Sequence, residues 1–123
     1  MGKRPEIIPR RGEIYLVSFD PTVGHEIRKT RPALVVQNDI GNQFSPLTIV
    51  AAITSKLSRV LYPIEVVVQP SRTNGLDAPS AIRLDQIRSV EKQRLIKRLG
   101  AVEPGLMRRV DAAIQISLGL VEL

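Results

Sequence analysis

The chain has 123 residues, 43% hydrophobic and 24% charged, with a formal net charge of +6 and no cysteine. That length suits one compact domain, and the composition is that of a folded chain rather than a disordered one. Without cysteine there is no disulfide, thiolate zinc site or thiol nucleophile, and no apolar run approaches the ~20 residues of a membrane helix. The opening MGKRPEIIPR is basic but lacks the unbroken apolar stretch of a signal peptide. Residues 1–10 therefore read as a basic tail, residues 11–123 as the domain, and the protein as cytoplasmic. An excess of Lys and Arg favours polyanionic partners, nucleic acid first.

Four short runs rich in Val, Ile and Thr predict strands, at residues 13–19 (EIYLVSF), 33–37 (ALVVQ), 48–54 (TIVAAIT) and 63–69 (PIEVVVQ). Turn residues separate them: Asp20-Pro21 and Gly24, then residues 39–46, then Asn74-Gly75 and Pro79. Residues 80–88 (SAIRLDQIR) set Ile82 and Leu84 against Arg83 and Asp85, a fifth strand with one wet face. Five short strands without helices between them predict an antiparallel sheet curling into a small barrel. Ser89 as N-cap, Leu95 and Leu99 on one face, and Gly100 as a stop predict a helix after them. Pro104 opens a second helix, with Leu106, Val110, Ala113, Ile114, Ser117, Leu118 and Val121 as its apolar stripe.

The connection between the first two strands, DPTVGHEIRKT at residues 20–30, is far longer than a two-residue hairpin turn. It gathers His25, Glu26, Arg28 and Lys29 just before Arg31, which is either a solvated charged loop or a functional one. Pro32 restrains Arg31 to extended geometry at the start of a strand. A guanidinium held there suits a phosphate through two parallel hydrogen bonds, or a structural salt bridge to Glu26 or Asp20. Thr54 closes its strand, followed by Ser55 and Lys56; its hydroxyl faces a ligand or simply packs, and the residues alone favour packing. A single histidine excludes a pair of histidines within one chain, and HExxH, P-loop, GxGxxG and Gly-x-Ser-x-Gly motifs are absent. What remains suits phosphodiester cleavage in RNA, where the substrate supplies its own 2′-hydroxyl nucleophile. Aromatic content is only 3%, which leaves Phe19 and Phe44 as stacking candidates.

The ordered series RRGEIYLVSFDPTVGHE, RPALVVQNDIGNQFSP, IVAAIT, DQIRSVEKQRL and VDAAIQISLGL resembles the MazF/PemK family of toxin endoribonucleases, in its Gram-positive form, from Arg11 onward. The resemblance implies a β-dominated α+β fold, a small SH3-like antiparallel β-barrel with a C-terminal helix (the PemK/CcdB-like toxin fold). It implies a homodimer that binds single-stranded RNA in a groove at its interface. Cleavage would be sequence-specific, leave a 2′,3′-cyclic phosphate and a 5′-hydroxyl, and need no metal or other cofactor. An acidic, MazE-like antitoxin would cover the same groove.

Carried over residue by residue, the catalytic arginine falls on Arg31, before the proline, and the catalytic threonine on Thr54, at the end of IVAAIT. The loop glutamate five residues before the arginine falls on Glu26, as general base or loop anchor. Gln86 matches a glutamine that contacts RNA, and residues 42–46, with Phe44 and Ser45, match a loop beside the groove. The other RNA-binding candidates are Phe19, His25, Arg28, Lys29, Ser55 and Lys56. The loop reads HEIRKT where relatives often carry glycines, and residues 70–79 (PSRTNGLDAP) differ from relatives in length and composition. Two other readings are a same-fold toxin that binds gyrase and a catalytically inactive RNA-binding relative. The first relies on a C-terminal tryptophan that this chain lacks; retention of Arg31 and Thr54 speaks against the second.

Overall fold

Alternation along the strands gives the sheet two apolar faces, and each face is covered by a different part of the chain. The computed structural model describes residues 7–20, 29–58 and 63–122. Its elements are β1 (Glu13–Ser18), β2 (Thr30–Val35), α1 (Asp39–Phe44), β3 (Leu47–Thr54), β4 (Glu65–Val68), β5 (Ser80–Glu91), a 3₁₀ turn (Lys92–Arg94), β6 (Leu95–Ala101) and α2 (Pro104–Ser117). The six strands form one sheet in the order β4-β5-β3-β2-β1-β6, with every pair antiparallel. All five expected strands are present. The sheet does not close on itself, so β4 and β6 are left at its two edges.

Ile14, Leu34, Ala51, Ile53, Val66 and Ile82 build one core, capped by Val110 and Ala113 of α2. Tyr15, Val17, Phe19, Ala33, Val35, Val50 and Ala52 build the other, completed by Val90 and Leu95 from the far end of β5 and the start of β6. Burying each large aliphatic side chain stabilises the fold by about 1.5–3 kcal/mol. Of the expected basic tail, Ile7 packs against this second core and Pro9 is buried.

The helix expected after Ser89 is absent. β5 runs on to Glu91, a 3₁₀ turn follows, and Leu95–Ala101 is the edge strand β6. The four-residue spacing of Leu95 and Leu99 suggested one helical face, but two register shifts in β6 turn them to opposite faces of the sheet, Leu95 into the second core and Leu99 against the first. Gly100 is no helix stop. A Cβ there would lie 2.3 Å from the Thr73 carbonyl oxygen, so glycine admits the close approach of residues 73–75 to the β6 edge. Gly75, at φ +69°, makes the reciprocal approach: its Cβ would sit 2.0 Å from the Leu99 oxygen. Buried Asn74 fixes this segment, its side chain accepting the Ser71 and Leu76 N–H groups and donating to the Gln69 carbonyl.

Part of the stretch read as a turn is the short helix α1, whose N-cap Asn38 accepts the Gly41 N–H at 2.8 Å. A glycine in mid-helix masked it from sequence reasoning. α2 starts at Pro104 as expected but ends at Ser117, whose hydroxyl donates to the Leu84 carbonyl at 2.6 Å. Leu118 and Val121, assigned to its apolar stripe, lie past that end and are exposed.

Candidate active site

The site is assembled where β1 hands over to β2. Phe19 N–H donates to the Lys29 carbonyl at 2.9 Å, and Lys29 N–H donates to the Asp20 carboxylate at 3.0 Å. Lys29 adopts φ 66°, a left-handed conformation unusual for a residue with a side chain. Arg31 follows two residues later and is already inside β2, paired with Val17, while Pro32 pairs with Leu16. It is thus anchored more firmly than a residue that merely precedes a strand.

β2 and β3 pair Ala33 with Ala52. That rung ends the β2–β3 ladder; Arg31 lies two residues before it on β2 and Thr54 two residues after it on β3, where Thr54 pairs with Ala81 of β5. The Thr54 hydroxyl accepts the Lys56 N–H at 3.1 Å, and the residue is 8% exposed. A cleft of about 180 Å³ opens here, lined by Arg31 and Pro32, by Ile53 and Ser55 at the end of β3, and by Leu76, Asp77, Ala78 and Ser80 before and at the start of β5. Lys29, Ser55 and Lys56 are exposed around it. Arg83, on the neighbouring β5, is engaged elsewhere. Its hydrogen bonds to Asp85, at 2.9 and 2.7 Å, raise the guanidinium's pKa, and Glu65 stands 3.4 Å away.

The other candidates are distributed differently. Phe19 is 1% exposed, within the second core and under the Arg88 guanidinium, 5.6 Å from the ring centroid; it cannot stack on a base and is corrected to a core residue. Phe44 is 77% exposed at the end of α1. Ser45 next to it spends its hydroxyl on the Leu47 N–H at 3.0 Å. Both lie before the start of β3, whereas Thr54 ends that strand, so roughly 23 Å of strand separates them from the cleft. Gln86 is half-buried in a bulge of β5, where the register with β3 passes from Ala51↔Ile87 to Ala52↔Arg83. His25, Glu26 and Arg28 lie outside the described residues.

Sequence reasoning missed two arginines. Arg94 Nη1 donates to the Ser18 carbonyl at 3.2 Å and to the Asp20 carbonyl, and Arg88 Nη1 donates to the Phe19 carbonyl at 3.3 Å. Arg94 belongs to the segment read as a helix, which would have turned it to solvent, and Arg88 ends the expected fifth strand, where its bond to a distant carbonyl had no local sign. The continuing alternation past Arg88 was the signal for a longer strand. Asp77 in the cleft wall was also missed, its segment having been read only as a turn. No helix among the described residues is long and apolar enough to cross a membrane.

An open antiparallel sheet with one C-terminal helix matches one group of small toxins. The model of the PemK-like, MazF-like toxins of type II toxin–antitoxin systems matches residues 10–118. Endoribonuclease EndoA of Bacillus subtilis (strain 168) is 43% identical over 116 residues, covering 94% of this chain and 99% of that protein. The crystal structure of MazF (Form-I) from Deinococcus radiodurans superposes with a TM-score of 0.77 at 26% identity, covering 92% of this chain and 98% of that one. A MazE-MazF crystal structure (Form-II) from the same organism superposes at 0.73, also at 26% identity, covering 94% and 99%. The chain belongs to the PemK-like, MazF-like family of type II toxins.

Proposed function

We propose that this toxin is an endoribonuclease that cuts single-stranded RNA using the substrate's own 2′-hydroxyl. The observation that carries this reading is the placement of Arg31 inside β2 on the wall of the cleft, which Ile53 and Ser55, the neighbours of Thr54, also line. The relative named an endoribonuclease, at 43% identity over nearly the whole chain, supports the same activity.

The 2′-hydroxyl gives its proton to a base, Glu26 or water, as its oxygen attacks the adjacent phosphorus; the P–O5′ bond breaks and the 5′-oxygen takes a proton from water, leaving a 2′,3′-cyclic phosphate and a 5′-hydroxyl. Charge grows on the non-bridging oxygens as the fifth bond forms, and the Arg31 guanidinium stabilises it, the effect usually largest in such sites. Arg31 is a donor here rather than a base, because free guanidinium keeps its proton far above neutral pH. Thr54, oriented by the Lys56 N–H, donates its hydroxyl proton toward the same phosphate. Glu26 is the conventional base on pKa grounds, or the anchor of its loop. The cleft between Pro32 and Leu76 receives the neighbouring nucleotide, with Asp77 as an acceptor on its wall. Lys29 and Lys56 draw in the phosphate backbone, His25 and Arg28 are further RNA contacts, and Phe44, Ser45 and Gln86 mark the far reach of the RNA track.

The working form is a homodimer, whose acidic MazE-like antitoxin competes with RNA for this basic surface. The structure of a MazE-MazF complex from Deinococcus radiodurans supports the antitoxin half of that statement. The deciding experiment incubates purified protein with a long RNA in EDTA and sequences the new 5′ ends. Discrete 5′-hydroxyl ends at a recurring short sequence are expected. A single 2′-deoxy substitution just 5′ to the cut should abolish cleavage there. Magnesium dependence, or cutting of the deoxy-substituted strand, makes water the nucleophile and overturns the mechanism.

A further inference from the structure

We infer that Arg94, with Arg88 beside it, is a positioning residue for cleavage that acts on Arg31 through the end of β1. This rests on the reading that Arg31 works at the phosphate.

The two side chains reach across 69 to 76 residues of sequence to grip three successive carbonyls, those of Ser18, Phe19 and Asp20. Ser18 pairs with Thr30 as the last rung of the β1–β2 ladder. Beyond it the chain leaves the sheet, and its carbonyls need other donors. Arginine supplies charge-assisted bonds, which are stronger than neutral ones, and a single Arg94 nitrogen ties Ser18 to Asp20. The Phe19 ring, seated in the second core under Arg88, anchors the same corner from below.

From this fixed corner two bonds run toward the site. Phe19 N–H holds the Lys29 carbonyl, and the Asp20 carboxylate holds the Lys29 N–H. Lys29 therefore stays in its left-handed conformation, which costs free energy and persists only where its surroundings over-determine it. The direction in which the chain enters β2, two residues before Arg31, is set by that conformation. Arg94 thus bears on the guanidinium without touching the substrate. A displacement near 1 Å at such a group costs about 100-fold in rate.

The test uses the full-length protein, a fluorogenic RNA, the same RNA with a 2′-deoxy block at the cut, and thermal melting. Arg94→Met is expected to lower kcat about 10- to 100-fold. KM and affinity for the blocked RNA should stay within about twofold of wild type, a split expected when only placement of the reacting group is disturbed. Melting should shift too little to account for the loss. Arg94→Lys, which keeps the charge and three donors on one nitrogen but has a shorter reach and no planar guanidinium, should recover part of kcat. In an Arg31→Ala background, Arg94→Met should add no further loss, since its effect passes through Arg31. An unchanged kcat in Arg94→Met overturns the inference. So does a matching fall in RNA affinity, which would mean direct contact with RNA, or full additivity with Arg31→Ala. If Arg94→Met does not fold, Arg94→Lys and Arg88→Lys decide by the same measures: a kcat loss of a few fold at unchanged melting supports the inference, and wild-type kcat in both overturns it. Wild-type cleavage by Arg31→Ala alone defeats the reading of the active site, a result separate from all of these.

Discussion

The Thr48 hydroxyl donates to the Asn42 side-chain oxygen at 2.7 Å, and both residues are fully buried. The same oxygen accepts from Gln37 Nε2 at 3.1 Å, while the Asn42 amide donates to the Gln37 carbonyl at 2.9 Å and to Asp39 at 3.3 Å. All four hydrogen-bonding positions of this amide are filled. The network fastens α1 to the start of β3, and with it the exposed Phe44. Asn42→Ala strips the buried Thr48 hydroxyl and the half-buried Gln37 of this partner and is expected to cost about 2–3 kcal/mol, against about 1 kcal/mol for Thr48→Val. Urea unfolding curves of the two variants measure both, and equal losses would contradict the network.

Arg31→Ala should lower the cleavage rate by about 100- to 1,000-fold, the usual cost of losing a donor to a developing oxyanion. Arg31 is half-buried on a strand whose pairing its backbone sustains, so the variant should still fold. Thr54→Ala should also be severely impaired, while Thr54→Ser should recover much of the rate because it restores the hydroxyl. Single-turnover cleavage of one defined RNA, with circular dichroism on the same samples, distinguishes lost chemistry from lost fold.

The two phenylalanines should part company. Phe19→Ala empties a fully buried position and should destabilise by about 3–5 kcal/mol. Phe44→Ala should leave stability unchanged and weaken RNA binding, by about 1–3 kcal/mol if the ring stacks on a base. Melting curves and titrations of a non-cleavable RNA on the two variants give the comparison. Wild-type RNA affinity in Phe44→Ala would remove this residue from the RNA track.

Tyr15 provides a pH signature. Burial, and then the nearby Glu13 charge, push its phenol up to about 12, and its hydroxyl donates to Glu13 at 3.2 Å. In the unfolded chain a tyrosine titrates near 10. The folded state therefore holds this proton more tightly, and the associated stability is complete below pH 10 and lost as the pH rises toward about 12. The difference in urea midpoint between wild type and Tyr15→Phe should shrink across that window and stay constant below it. A constant difference from pH 8 to 12 would contradict the assignment.

The sheet was legible because its strands are short, β-branched and punctuated by turn residues, and the alternation of Ile82 and Leu84 already faced them toward one core. The error fell on residues 89–100, where a four-residue leucine spacing suggests a helix and nothing local announces a bulged strand with Leu95 and Leu99 on opposite faces. Only the pairing of β6 with β1, a contact some eighty residues distant in sequence, decides between helix and strand. Arg31 could be singled out from the Arg-Pro step alone, since proline restricts its neighbour locally. Arg88 and Arg94 could not, because their role consists of bonds to carbonyls that nothing in their own neighbourhood announces. Phe19 was misplaced for a related reason. Its position at the end of a strand says nothing of the core that folds over it.

The interlocked glycines at positions 75 and 100 divide the cleft wall into a footing and a face. Neither position tolerates a side chain without prising residues 73–75 off the β6 edge, and Asn74 pins the same footing from inside. Asp77 and Ala78, just beyond Leu76, line the cleft but take part in none of those contacts. They form an exchangeable cassette. Their side chains can be exchanged, and the lining of the cleft with them, while the sheet beneath keeps its register.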